Sequence, residues 1–277
     1  MEQTQIRYVM TPLTDPSYPL FMETVGLNPE QEDIARDDGY PYFHWIQTKE
    51  GKGELEINGS VFLLSEGTGA LLFPHTPHRY KAVVSRWSTV YLTFGGSLAQ
   101  EILQLLGQID QSSFFSWERS TPLSGIVESI LHSIRNESRP APLNASLDIY
   151  RFVTELRKHG QLNKRSSISH MMETLDPLLE WLEKHYSDAS IGLKEMASIL
   201  GVTPRHMNTL FQEVFSLSPY AYLILHRIRK AKMLLLQELA LPVKEVSQRV
   251  GFRDASHFVA SFRKHVGVTP ETFRTYR

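Results

Sequence analysis

The chain has 277 residues, 42% of them hydrophobic, and a formal net charge of −1; this length and apolar content allow more than one core and point to two domains. Cysteine is absent, which excludes structural disulfides, thiolate metal sites and cysteine nucleophiles. No long apolar run occurs, and the N-terminus MEQTQIRYVM has no basic segment followed by an apolar one, so a cytoplasmic protein without a membrane span is expected.

The charge is unevenly spread. Residues 1–170 hold 15 Lys and Arg against 19 Asp and Glu, whereas residues 171–277 hold 14 against 11. The balance is that of a basic binding module attached to an acidic body.

From about Tyr40 to Phe94 the pattern predicts strands: YPYFHWIQT, GELEING, VFLLSEG, GALLFP, RYKAVV and STVYLTF are short apolar or alternating runs separated by Gly, Pro and Asn. Short antiparallel strands at this spacing predict a small barrel or sandwich. After Gly96 the period becomes helical in SLAQEILQLLGQI, PLSGIVESILHSIRNES and LNASLDIYRFVTELRKHG. Residues 160–170 are polar and aperiodic and read as an exposed linker. The remainder is helical.

That last part contains a near-repeat. LKEMASILGVTPRHMNTLFQEVF, from Leu193, and VKEVSQRVGFRDASHFVASFRKHVG, from Val243, share the order short helix, Gly, turn, helix, with Gly201 and Gly251 in equivalent places. Between them Ser218 and Pro219 are an N-cap and a first-turn proline for one long helix. In the first unit Met196, Leu200, Val202, Met207, Leu210 and Phe211 supply the apolar contacts, and Thr203 caps the second helix. Its other face carries Arg205, Asn208 and Thr209, side-chain types suited to base edges in the major groove.

One such unit is a common product of two amphipathic helices joined through Gly; two, at a regular interval, are not. On these residues, with RIRKAKMLLL in the linker helix and GFRDASHFVASFRKHVGVTPETFR at the end, residues 176–277 resemble the DNA-binding domain of the AraC/XylS family of bacterial transcription regulators. The resemblance implies two recognition helices in successive major grooves of double-stranded DNA, ~34 Å apart. It places base contacts on Arg205, Asn208 and Thr209 in the first helix, and on Ala255, Ser256, Val259 and Ala260 in the second. At 100° per residue Phe258 and Phe262 mark the buried face of that second helix. Its outward face is short and apolar apart from Ser256 and Arg263, where many relatives carry long polar residues. The base-reading set is therefore Arg205, Asn208, Thr209, Ser256, Val259 and Arg263, with Arg253 and Lys264 near phosphates and Val259 able to touch a thymine methyl.

In the strand region, HWIQTKEGKGELEINGSVFLLSEGTGALLFPHTPHRY resembles the cupin-type effector domain of the same family. Relatives with sugar effectors use an Arg before the barrel, a Tyr after the His-containing turn, and residues on the following strand. The resemblance thus implies an effector site of Arg36, His44, Tyr80, Trp87, Thr89 and Tyr91; the competing reading for Trp87 and Tyr91 is plain core. Metal-binding cupins use several His and a Glu. Here His44, His75 and His78 are available, but the preceding His-x-His pair is missing, so no metal, cofactor or catalytic residue is expected. The competing functional reading is a metal-dependent cupin enzyme with a DNA-binding tail.

The expected fold class is α+β with two domains: an N-terminal cupin-like β-barrel followed by helices, and an all-α C-terminal domain with two helix-turn-helix units. Residues 1–160 form the effector-binding and dimerisation domain, 161–172 the linker and 173–277 the DNA-binding domain. Leu143, Leu147, Tyr150, Val153 and Leu156 form a candidate homodimer seam, with cover for the barrel as the competing use. The expected function is a ligand-responsive, sequence-specific transcription regulator. Its partners are double-stranded DNA, a sugar or similar small metabolite, a second copy of the chain and, for an activator, RNA polymerase.

Overall fold

The computed structural model describes residues 5–9, 18–107, 109–136, 142–162 and 165–275. They fall into two compact units, residues 1–169 and 170–277.

The first unit opens with strands β1 (Ile6–Val9), β2 (Phe21–Asn28), β3 (Ile34–Arg36), β4 (Phe43–Ile57), β5 (Ser60–Ser65), β6 (Thr68–Leu72) and β7 (His78–Gly95). Helix α1 (Ala99–Gly107), strand β8 (Ser113–Ser116), helices α2 (Ile126–Asn136) and α3 (Pro142–His159), and the short strand β9 (Gln161–Leu162) complete it. All the strand pairings are antiparallel, in the order β1-β2-β7-β4-β6-β8-β9, with β3 added beside β7 and β5 beside β4.

Two departures from the sequence expectation have one cause. The runs read as separate strands on either side of Glu50, and on either side of Val84, are the halves of β4 and β7. Hydrogen bonding continues through the bend because register shifts between Thr48 and Glu50 and between Gly51 and Gly53 absorb the extra residues. The segment 161–172 is also not wholly a linker: Gln161 and Leu162 pair with β8, and Ile168 starts a helix. Residues 163–164 of that segment lie outside those described.

Period-2 alternation sorts the strand residues onto two faces. Met22, Val25 and Leu27 of β2, Phe43 and Trp45 of β4, and Val90, Leu92 and Phe94 of β7 face the helices, where they share a core with α2 and α3. Helix α2 buries Ile126, Val127, Ile130, Leu131 and Ile134, one stripe at helical spacing. The opposite face lines the barrel, with a smaller core of Ile46, Leu55, Ile57, Leu64, Ala70, Leu72, Tyr80 and Trp87.

The second unit is helical: α4 (Ile168–His185), α5 (Leu193–Ile199), α6 (Pro204–Phe215), α7 (Pro219–Gln237), α8 (Val243–Arg249), α9 (Ala255–Val266) and α10 (Pro270–Thr275). It has two hydrophobic cores. Leu175, Leu178, Leu182, Met196, Met207, Phe211 and Leu223 form the first, around α5 and α6. Ile224, Ile228, Ala231, Val246, Phe252, Phe258 and Phe262 form the second, around α8 and α9. Helix α7 contributes to both, and its 19 residues span roughly 28 Å. Its start is fixed by Ser218, whose hydroxyl accepts from the Ala221 amide, followed by Pro219, a cap contributing about 1 kcal/mol.

Candidate effector pocket and nucleic-acid interface

The barrel holds a partly open cavity of about 880 Å³ lined by residues of β1, β2, β3, β4 and β7 and of the segments joining them, among them Arg7, Thr24, Asn28, Gln31, Arg36, Tyr40, His44, Tyr80, Tyr91 and Thr93. Four of the six residues expected from sequence meet here: Arg36, His44, Tyr80 and Tyr91. Tyr91 reaches in because Gly26 lies opposite it; a Cβ at Gly26 would stand 2.4 Å from the Tyr91 hydroxyl oxygen.

The other two expected residues do not line the cavity. Trp87 is fully buried, donates from Nε1 to the Thr48 hydroxyl at 3.0 Å, and lays its indole on Gly53, where a Cβ would come within 2.4 Å of the ring. It is core, the competing reading given above. Thr89 is also fully buried, and its hydroxyl donates to Gln31 Oε1 at 2.6 Å. It positions a lining residue instead of lining the cavity itself.

His44 is 4% exposed, and neither ring nitrogen has a hydrogen-bond partner. Burial, then the nearby Arg36 and His78, hold its pKa well below the usual histidine range, so the ring is neutral and carries one donor and one acceptor. His78, beside it with ring centroids 6.3 Å apart, bonds through Nδ1 to the Thr76 carbonyl at 2.7 Å, and burial also lowers its pKa. Arg36 places its guanidinium 4.5 Å from the Tyr40 ring centroid, and its buried Nη1 has no hydrogen-bond partner.

Sequence reasoning missed a second layer. Glu23, buried behind the wall, accepts at Oε2 from the hydroxyls of Thr24, Thr93 and Tyr40. Burial first, and Glu23 second, push the Tyr40 phenol up to about 12. Thr93 was accessible from alternation alone, since it shares a strand face with Tyr91. Glu23 and Thr24 were hidden by the register shift between Met22 and Thr24.

The metal-enzyme alternative is not favoured. His75 sits exposed in a turn at φ 58°, and no group of three metal-ligating side chains occurs among the described residues.

In the second unit both turns have the expected form. Gly201 and Gly251 take positive φ, 63° and 84°. The Thr203 hydroxyl accepts from the His206 amide to start α6, and Asp254 accepts from the Ser256 amide to start α9. Met207 and Phe211 of α6, and Phe258 and Phe262 of α9, are fully buried. Opposite them α6 exposes Arg205, Asn208 and Thr209, together with Gln212, which continues the same face at helical spacing. Gln212 was overlooked, although its place seven residues beyond Arg205 marks it. The Thr209 hydroxyl donates to the Arg205 carbonyl at 3.2 Å, leaving it lone pairs to offer outward.

On α9, Ala255, Ser256, Val259, Ala260, Arg263 and Lys264 border a shallow open groove with Val243 and Lys244 of α8. Arg253 donates from Nε to the Ala189 carbonyl at 2.9 Å, so one edge of its guanidinium is structural.

A barrel with a polar cavity, joined to two capped helix-turn-helix units, defines a DNA-binding transcription regulator with an effector domain. Residues 27–153 match the AraC-like ligand binding domain and residues 196–276 match a helix-turn-helix domain; the chain belongs to the AraC family of transcription regulators. It is 26% identical over 236 residues, 81% of each chain, to the Msm operon regulatory protein of Streptococcus mutans. It is 24% identical over 273 residues, 94% of this chain and 95% of the other, to the HTH-type transcriptional activator RhaS of Escherichia coli. Among solved structures, the C-terminal domain of AraT, a response regulator from Geobacillus stearothermophilus, is 29% identical; the match covers 38% of this chain and 85% of that chain with a TM-score of 0.36. No helix among the described residues is long and apolar enough to cross a membrane.

Proposed function

We propose that this regulator is a transcription activator in the cytoplasm whose DNA binding is gated by a small polyhydroxylated metabolite, a sugar or close relative, held in the barrel cavity. One observation carries the effector reading: His44, 4% exposed, turns two unsatisfied ring nitrogens into a cavity lined by hydroxyl and guanidinium groups. Such buried polar groups are normally satisfied, and a polyol supplies the missing partners. Arg36, Tyr80 and Tyr91 complete the site, with aromatic faces for sugar C–H surfaces.

Arg205, Asn208 and Thr209 read bases, while α9 anchors through Ser256, Val259, Arg263, Lys264 and the free edge of Arg253. Binding to two half-sites calls for a homodimer. Leu143, Leu147 and Tyr150 stand exposed along α3 at 65%, 68% and 46%, spaced as one stripe. Val153 and Leu156, read above as part of the same seam, are buried in the core between the sheet and the helices. The dimer would present paired DNA-binding domains to the promoter and, through them, to RNA polymerase.

The test is a mobility-shift series on promoter fragments with and without candidate sugars. Binding without sequence preference under every condition would remove the regulator reading. Sequence-specific binding that no metabolite alters, in a protein whose melting temperature no metabolite raises, would remove the gating.

A further inference from the structure

We propose that the effector is a polyhydroxylated carboxylate, a sugar acid of the aldonate or uronate class, whose carboxylate is held by Arg36. This deepens the effector-site reading above and rests on it.

The cavity wall is divided by hydrogen-bond polarity. Thr24, Thr93 and Tyr40 each have one hydroxyl hydrogen, and each is spent inside one cluster: Tyr40 donates to Glu23 Oε2, and the Thr24 and Thr93 hydroxyls share their hydrogens between Glu23 Oε2 and each other. None of the three has a hydrogen left for the cavity; Thr24 and Tyr40 offer it lone pairs, while the Thr93 oxygen is taken up by the Thr24 amide and hydroxyl. Glu23 itself does not line the cavity; it acts as a positioning residue that draws the hydroxyl hydrogens of this wall away from the cavity. A ligand facing this side must donate, as sugar hydroxyls do.

Arg36 supplies the opposite polarity. Its Nη1 is buried without a hydrogen-bond partner. Asp37 is committed to Arg79 at 2.8 Å and Glu23 Oε2 to the hydroxyl cluster; Glu30 and Glu32 line the cavity from exposed positions. His44, neutral by burial and by the Arg36 charge, adds no second cation. Arg7 and Arg86 line the cavity from exposed positions. The Tyr80 and Tyr91 phenols, both with pKa values raised by burial, keep their hydrogens and add neutral donors.

A neutral hydroxyl would satisfy one N–H of Arg36 and leave its partly buried charge uncompensated. A carboxylate satisfies the planar fork with two parallel bonds and neutralises it. Hydroxyl donors for the acceptor wall and a planar anion for Arg36 describe a sugar acid.

The experiment is isothermal titration calorimetry on the full chain with matched pairs: D-glucose and D-glucuronate, D-galactose and D-galacturonate, with D-gluconate and glucose 6-phosphate added. The expected result is that an acid binds at least tenfold more tightly than its neutral partner. Arg36→Gln should weaken the acid on the order of thirtyfold or more and the neutral sugar by a much smaller factor, with Arg36→Lys intermediate for the acid. Thermal melting establishes that each variant is folded. A neutral sugar that binds as tightly as its acid overturns the carboxylate assignment and leaves the effector site standing. Tighter binding of the phosphate ester overturns it in favour of a different anion. Acid binding unchanged by both Arg36→Gln and His44→Gln removes the cavity as the effector site, and the proposal with it. An acid panel without a binder also overturns the proposal.

Discussion

Arg227 Nε donates to the Tyr186 carbonyl at 2.8 Å, and Nη2 of the same guanidinium reaches the Asp188 carbonyl at 2.7 Å. Linker helix α7 is thereby fastened to the turn between α4 and α5. Gly251 lies against the same carbonyl: a Cβ there would stand 2.4 Å from the Tyr186 oxygen, whereas at Gly201 it would meet open space. Gly201→Ala should therefore incur only the cost of left-handed backbone, about 1–2 kcal/mol. Gly251→Ala should cost distinctly more, because the clash with fixed backbone adds to that strain. Thermal melts rank the two, and footprinting should show the second half-site losing protection first in Gly251→Ala.

The recognition helices are unequal. Arg205→Ala should cost roughly 1–3 kcal/mol of binding and relax base preference, whereas Lys264→Ala should weaken all sites alike and lower the salt slope by about one. Fluorescence anisotropy on systematically mutated half-sites, repeated over a salt series, measures both. Larger changes in base preference from Ser256 or Val259 substitutions than from Arg205→Ala would reverse the assignment.

The groove at α9 presents Ala255, Val259 and Ala260 between Lys244, Arg263 and Lys264. Such a surface discriminates by apolar contact, and the one apolar group in the major groove is the thymine methyl. Replacing thymine by uracil in the second half-site should weaken binding by about 0.8 kcal/mol for each methyl contacted. If the same replacement in the first half-site had the larger effect, α9 would not be the methyl reader.

Acid should destabilise the barrel. Burial lowers the His44 and His78 pKa values in the folded state, so the unfolded chain binds more protons and stability decreases as the pH is lowered. The contribution is complete above the unfolded histidine pKa, about 6.5, and is lost progressively below it. His44→Gln should flatten the slope of melting temperature against pH between about 7 and 5. A slope identical to that of the parent chain would assign the acid sensitivity elsewhere.

The two helix-turn-helix units were legible because their signals are local. Pro204 and Ser218 mark helix starts, Gly201 and Gly251 mark turns, and Phe258 and Phe262 mark a buried stripe, all within short windows. The barrel cavity was legible only in part, because its wall is assembled across strands far apart in sequence. Tyr91 and Thr89 share a strand face, and alternation cannot tell that Thr89 is covered by Gln31. Trp87 looked like a ligand platform until Gly53 showed where its ring rests. Glu23 carries no motif; its part depends on a register shift that brings Thr24 opposite Thr93.

Because α6 and α9 are each held by a separate apolar cluster, substitutions on the outward face of one helix leave the interior supporting the other untouched. Over generations, one half of the operator contact can be rewritten while the other keeps the protein at its genomic address. The short, apolar face of α9 beside the longer polar face of α6 is the kind of divergence such a division permits.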